Sequence, residues 1–192
     1  MQFQWCYGGF NFGETENSKT MKRAKIHWAM AALFMFTLNV SKAQMKTENL
    51  VTAWDAMTKM VVETAKAMPE VNYSFKPTEE LRDFAEQISH TSGANYLFAS
   101  VVKLNTPDPN PVTDTKKKNE VIQQLQGSFA FIRDGMEKLK EEDLKEEIEF
   151  FGSKMSRLQS ILIMTSHLQR EHGKSTIYTR LKGIAPGPTG GW

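Results

Sequence analysis

The chain has 192 residues, 40% apolar and 24% charged, enough for one ordinary domain with a single core. Its net charge of +2 lacks the basic excess that nucleic-acid binders carry. A single cysteine, Cys6, excludes a framework of internal disulfides.

Residues 1–20 (MQFQWCYGGFNFGETENSKT) fit no targeting pattern and read as a non-native or disordered extension, with translation starting at Met21. From there Lys22, Arg23 and Lys25 make a basic start, Trp28 to Leu38 an apolar run, and Ser41-Lys42-Ala43 a small-residue cleavage site. That order describes a secretory signal over 21–43, and its apolar run is short for spanning a bilayer. The competing reading is an N-terminal membrane anchor; no cysteine follows the run to carry a lipid. The expectation is an exported protein, periplasmic or secreted, that begins at Gln44 and keeps no stable membrane anchor. Cleavage removes Cys6, His27, five basic and two acidic residues. The remaining domain, 44–192, has a net charge of −1 and three histidines, His90, His167 and His172.

Apolar spacing predicts four helices. The first covers Thr47 to Met68, with Leu50, Trp54, Met57, Val61 and Ala65 in register and Pro69 closing it. The second opens at Pro77-Thr78-Glu79-Glu80, with Thr78 as cap, and continues to Lys103. The third covers Lys118 to Lys140, with Val121, Leu125, Phe129, Ile132 and Leu139 on one face. The fourth covers Gly152 to Lys182, and Gly183 stands where a C-cap glycine belongs. EEDLKEEIEF, before the fourth helix, reads as a turn or short helix, and no strand-like alternation is long enough to compete. The core is expected to hold Trp54, Phe98, Phe129, Ile132, Leu158, Leu162 and Ile163.

Four long amphipathic helices make an all-α protein, a four-helix bundle. The connection between the second and third helices, LNTPDPNPVTDTKK, contains three prolines and is long for a bundle loop. Extended, it reaches roughly 45 Å, enough to run back along a helix and set these two parallel.

The histidines mark a polar end of this core. Around His90 the helical face is polar before it (Asp83, Glu86, Gln87) and apolar after it (Ala94, Leu97, Val101). Around His167 the order reverses, from Ile163 and Met164 to Arg170, Glu171, Lys174 and Tyr178. If the second and fourth helices are antiparallel neighbours, both boundaries fall at the same end. Residues four apart on a helix are separated by roughly 40° in projection and residues five apart by roughly 140°. Glu171 therefore shares a face with His167, and His172 does not. Two imidazoles and a carboxylate suit a metal with open positions. The same spacing also suits an ordinary hydrogen-bonded His–Glu pair, with His90 satisfied separately, and spacing alone leaves both readings open.

The stretch FKPTEELRDFAEQISHTSGANYLFAS, an aromatic-x-Pro entry followed by a histidine helix, resembles the second helix of the DinB-like family of four-helix metal-binding proteins. The tail Tyr178-Thr179-Arg180-Leu181-Lys182-Gly183-Ile184-Ala185-Pro186 resembles that family's Y-x-R-x-x-G-x-x-P, which follows an H-x3-H. The resemblance covers nearly all of 44–192. It implies an up-down-down-up bundle with a long crossover, frequent homodimers, and a divalent metal held at His90, His167 and Glu171. Glu171 stands where the family has its third histidine; His172, one residue later, is the alternative ligand. A carboxylate there accepts zinc above all, with iron, manganese or nickel as further choices.

Three functions follow. The first is a metal-dependent hydrolase of an unknown small molecule, with Asp83 or Glu86 as general base and Tyr178 and Arg180 orienting an anionic or carbonyl group. The competing reading of Asp83 and Glu86, and the one that charged residues at helical spacing favour, is a solvated helix face. The second is a non-catalytic module that binds metal, a small ligand or its own copy. The third, implied by the resemblance alone, is a thiol-dependent S-transferase, which suits an exported protein less well.

Overall fold

The computed structural model describes residues 45–104 and 112–187. The expected signal segment 21–43 and the expected extension 1–20 lie outside the described residues, as does 105–111 of the crossover. Four helices carry the fold: α1 (Thr47–Ala67), α2 (Phe84–Val101), α3 (Lys118–Glu137) and α4 (Arg157–Leu181). Short 3₁₀ turns occupy Glu70–Asn72 and Asp143–Lys145. Where EEDLKEEIEF is expected to be a turn or short helix and the fourth helix to begin at Gly152, the 3₁₀ turn is followed instead by a hairpin, β1 (Glu147–Phe150) against β2 (Ser153–Ser156). Four residues per strand are too few for alternation to stand out. No helix among the described residues is long and apolar enough to cross a membrane.

Side-chain pairings give the helix directions. α2 and α4 are antiparallel: the Arg82 carbonyl meets Tyr178, Gln87 meets Glu171, and His90 faces His167. α1 and α3 are antiparallel too, with Trp54 on Phe129 and Lys118 on the Lys66 carbonyl. α2 and α3 run parallel, Asp83 pairing with Lys116 just ahead of α3 and Asn95 with Ser128. α1 and α4 run parallel through Met57–Gln169 and Thr64–His172. The order is up, down, down, up, so the α2–α3 connection has to return along the bundle.

The α1 stripe Leu50, Trp54, Met57, Val61 and Ala65 is buried, as its spacing requires. The Trp54 indole donates to the Phe129 carbonyl at 3.1 Å and meets the Phe129 ring edge-on at 5.8 Å. Phe98, Phe129 and Ile132 are buried as expected, and Leu158 is half-buried. Leu162 and Ile163 are corrections: both are exposed, at 45% and 43%. α4 turns Ile161, Met164 and Leu168 inward instead. In the run Ile161–Met164 every residue is apolar, so the inward face cannot be read from that run alone.

Two helix starts also lie later than expected. α2 begins at Phe84, not near Thr78, because Asp83 and Glu86 form a capping box: the Asp83 carboxylate accepts from Glu86 N–H at 2.9 Å, and Glu86 accepts from Asp83 N–H at 2.8 Å. Thr78 closes a turn, its carbonyl accepting from Leu81 N–H. α4 begins at Arg157 under a second box, Ser156 with Gln159, because the hairpin occupies the residues before it. Gly183, at φ +70°, ends α4 with Ile184 N–H on the Thr179 carbonyl.

Candidate metal centre

α2 and α4 cross where each helix turns from apolar to polar, and His90, His167 and Glu171 meet there. One ligand atom from each lies within 4.8 Å of the others. His167 Nε2 is 3.6 Å from Glu171 Oε1, and the two imidazole centroids are 5.9 Å apart. Ligands held at 2.0–2.2 Å around a tetrahedral ion stand about 3.4 Å apart, so small rotations would close the set on one ion.

The electrostatics suit such a use. Glu171 is 1% exposed. Burial alone would raise its carboxyl, but hydrogen bonds from Lys174 and Gln87, with the Lys174 and His167 charges, hold it down to about 2. Lys174 Nζ lies 2.8 and 3.0 Å from its two oxygens, Gln87 Nε2 donates at 2.7 Å, and Arg170 Nε is 3.4 Å away. Burial pushes both His90 and His167 below the ordinary imidazole value, against the opposing pull of Glu171. At neutral pH the set is thus two neutral imidazoles and one carboxylate, the protonation states a divalent metal needs.

His172 points elsewhere. Its Nε2 is 3.0 Å from the Thr64 hydroxyl on α1, so it serves the α1–α4 contact. Asp83 and Glu86, named as general bases, do not join the cluster, because their carboxylates are taken up in the α2 cap and Asp83 also pairs with Lys116. The Tyr178 hydroxyl donates to the Arg82 carbonyl at 2.7 Å, and the residue lines a cavity beside the cluster. Arg180 is exposed and stands nine residues past Glu171, about 13 Å along α4.

Two cavities flank the cluster. One, about 470 Å³, is lined by Leu81, Arg82, Gln87, Lys174, Ile177 and Tyr178, among others. The other, about 420 Å³, lies between the hairpin and the helices, lined by Phe98, Phe150, Phe151, Ile163, His167 and Arg170. Phe98 packs on the His167 ring at 5.1 Å and stacks on Phe150 at 6.0 Å. Sequence reasoning missed the roles of Gln87 and Lys174. Their positions, three before His90 and three after Glu171, put them on the ligand faces and were the available signal.

A family model of the DinB superfamily matches residues 53–173. Among solved structures, the chain is similar to a DinB-like protein from Bacillus cereus ATCC 10987 (TM-score 0.69, 13% identity, 76% of this chain and 99% of that one). It is also similar to a DinB-like protein from Bacillus subtilis (TM-score 0.57, 22% identity, 73% and 96% covered). A conserved protein from Enterococcus faecalis is similar as well (TM-score 0.54, 17% identity, 71% and 97% covered). At these identities the likeness is one of fold. No curated protein matches the chain.

Proposed function

This chain belongs to the DinB superfamily, and on that footing we propose that it binds a divalent metal ion, zinc first, through His90, His167 and Glu171 and hydrolyses a small molecule there. The observation that carries the reading is the convergence of those three side chains, from two helices, within 4.8 Å. A divalent cation so held lowers the pKa of a bound water and polarises a carbonyl or phosphoryl oxygen. The chain contributes the rest. The anionic Glu171 supplies charge, Gln87 fixes the carboxylate through its 2.7 Å hydrogen bond, and Phe98 holds the His167 ring. The cavities on either side give a small substrate access.

A second reading, a non-catalytic metal- or ligand-binding module, is favoured by the capping of Asp83 and Glu86, which among the described residues leaves Glu171 as the cluster's one carboxylate. Zinc titration of metal-free protein, followed by ester and amide turnover with and without chelator, tests both. Glu171→Ala should weaken zinc binding by more than the 10–100-fold that supporting residues cost. His172→Ala should leave it within about threefold, and Glu171→His should retain it. Loss of zinc binding in His172→Ala with Glu171→Ala unaffected would overturn the ligand set. Tight zinc binding without turnover would leave the module reading standing.

A further inference from the structure

The Glu171 carboxylate already has a cation on it. Lys174 spans both of its oxygens, at 2.8 and 3.0 Å, so a metal ion taking Glu171 competes with that ammonium for the same charge. Lys174 is three residues on along α4 and its side chain is 44% exposed, so its long stem can turn toward solvent. The space it would turn into is defined. Lys174 lines the cavity of about 470 Å³, together with the exposed Arg82. Leu81 and Ile177, 48% and 55% exposed, form an apolar wall there, and Glu80 is its acidic lining residue.

Resting on the metal reading above, we propose that Lys174 exchanges partners: it neutralises Glu171 in the metal-free site, and when a divalent cation takes Glu171 it swings into this cavity and, with Arg82, holds the anionic group of a small amphiphile. The ligand class is a small carboxylate with an apolar tail, the tail lying on Leu81 and Ile177. Cation and anion then bind cooperatively, because each relieves the charge the other leaves unpaired, and the coupling is reciprocal.

Isothermal titration of the full chain with hexanoate, metal-free and zinc-saturated, reads this coupling. Hexanoate should bind about tenfold tighter with zinc present, within the usual 5–150-fold range of coupled sites. Direct ligation of zinc by hexanoate would give the same result, so the deciding variants are Lys174→Met and Lys174→Gln. Both should bind zinc more tightly than wild type without hexanoate, and in both the zinc effect on hexanoate should vanish. Lys174→Met leaves the buried Glu171 carboxylate without its nearest cation, only Arg170 remaining at 3.4 Å, so zinc should also raise its melting temperature more than that of wild type. Lys174→Gln keeps a neutral donor and guards against a folding defect. Equal hexanoate affinity in the two metal states, or coupling that survives both variants, overturns the exchange while leaving the metal site intact. Failure of wild type and both variants to bind zinc overturns the metal reading and the exchange with it.

Discussion

Replacing Asp83 with alanine separates a structural carboxylate from a catalytic one. Its Oδ1 accepts the Glu86 N–H at 2.9 Å at the start of α2, and its Oδ2 pairs with Lys116. Losing an N-cap acceptor costs about 1 kcal/mol. Losing a negative charge beside the helix N-terminus adds about 0.3–1 kcal/mol. The pair with half-exposed Lys116 adds little, since water screens it. The Glu86 half of the box survives, because it binds the backbone N–H of residue 83. The expected loss is about 1–2 kcal/mol, or a melting temperature lower by roughly 3–7 °C for a domain of this size. Asp83→Asn keeps an acceptor and should lose less than half as much. Calorimetry gives the melting temperatures and zinc titration the site. Asp83 stands two helical turns from His90, about 10 Å along the axis, so zinc affinity should not change. An unchanged melting temperature together with lost zinc affinity or turnover would refute this reasoning and return Asp83 to the reaction.

Further tests concern the core, the alkaline limb and export. Ile161→Ala should cost about 2–5 kcal/mol in urea unfolding, since Ile161 is 1% exposed, whereas Leu162→Ala, at 45% exposed, should cost far less; equal losses would mean α4 is rotated. Tyr73 is fully buried with its hydroxyl on the Ala65 carbonyl, and burial, then Glu70, raises its pKa above the ordinary value near 10. The folded state thus favours the neutral phenol: its contribution is intact below pH 10 and falls by up to about 1.4 kcal/mol per pH unit above it. Tyr73→Phe should lose stability at pH 8 but show a flatter decline between pH 10 and 11 than wild type; parallel declines would exclude Tyr73 as the source. Intact-mass measurement of protein exported by its native host should give a chain starting at Gln44, and an uncleaved 21–43 segment would end the export reading.

The parts legible in the sequence were those set by helical period. Glu171 lies beside His167 because four residues make about one turn, and the α1 stripe is buried for the same reason. The long Pro-rich connection agrees with α2 and α3 lying parallel. The illegible parts were those where local signals compete. Thr78 and Asp83 are both good caps, and only the reciprocal bond from Glu86 decides for Asp83. The run from Ile161 to Met164 offers every phase, and the partners across α4 choose one. Gln87 reaches Glu171 across 84 positions of sequence, a contact that exists only once α2 and α4 pack.

The hairpin turn has a consequence for anyone stabilising this protein. Phe151 and Gly152 sit at φ +48° and +81°, a two-residue loop of the kind that Asn-Gly fills without strain. A bulky aromatic in the left-handed region costs about 1–2 kcal/mol, yet here it is placed so that its ring lies edge-on to Phe150 at 4.8 Å and to Phe98 at 5.9 Å. Selection for heat resistance alone would move residue 151 toward asparagine and gain stability at once. The same step would remove one phenylalanine from the lining of the cavity beside His167, leaving Phe98 and Phe150. Thermal tolerance and the shape of this cavity are thus opposed at one position, and a directed-evolution screen scored only on melting temperature would be blind to the second.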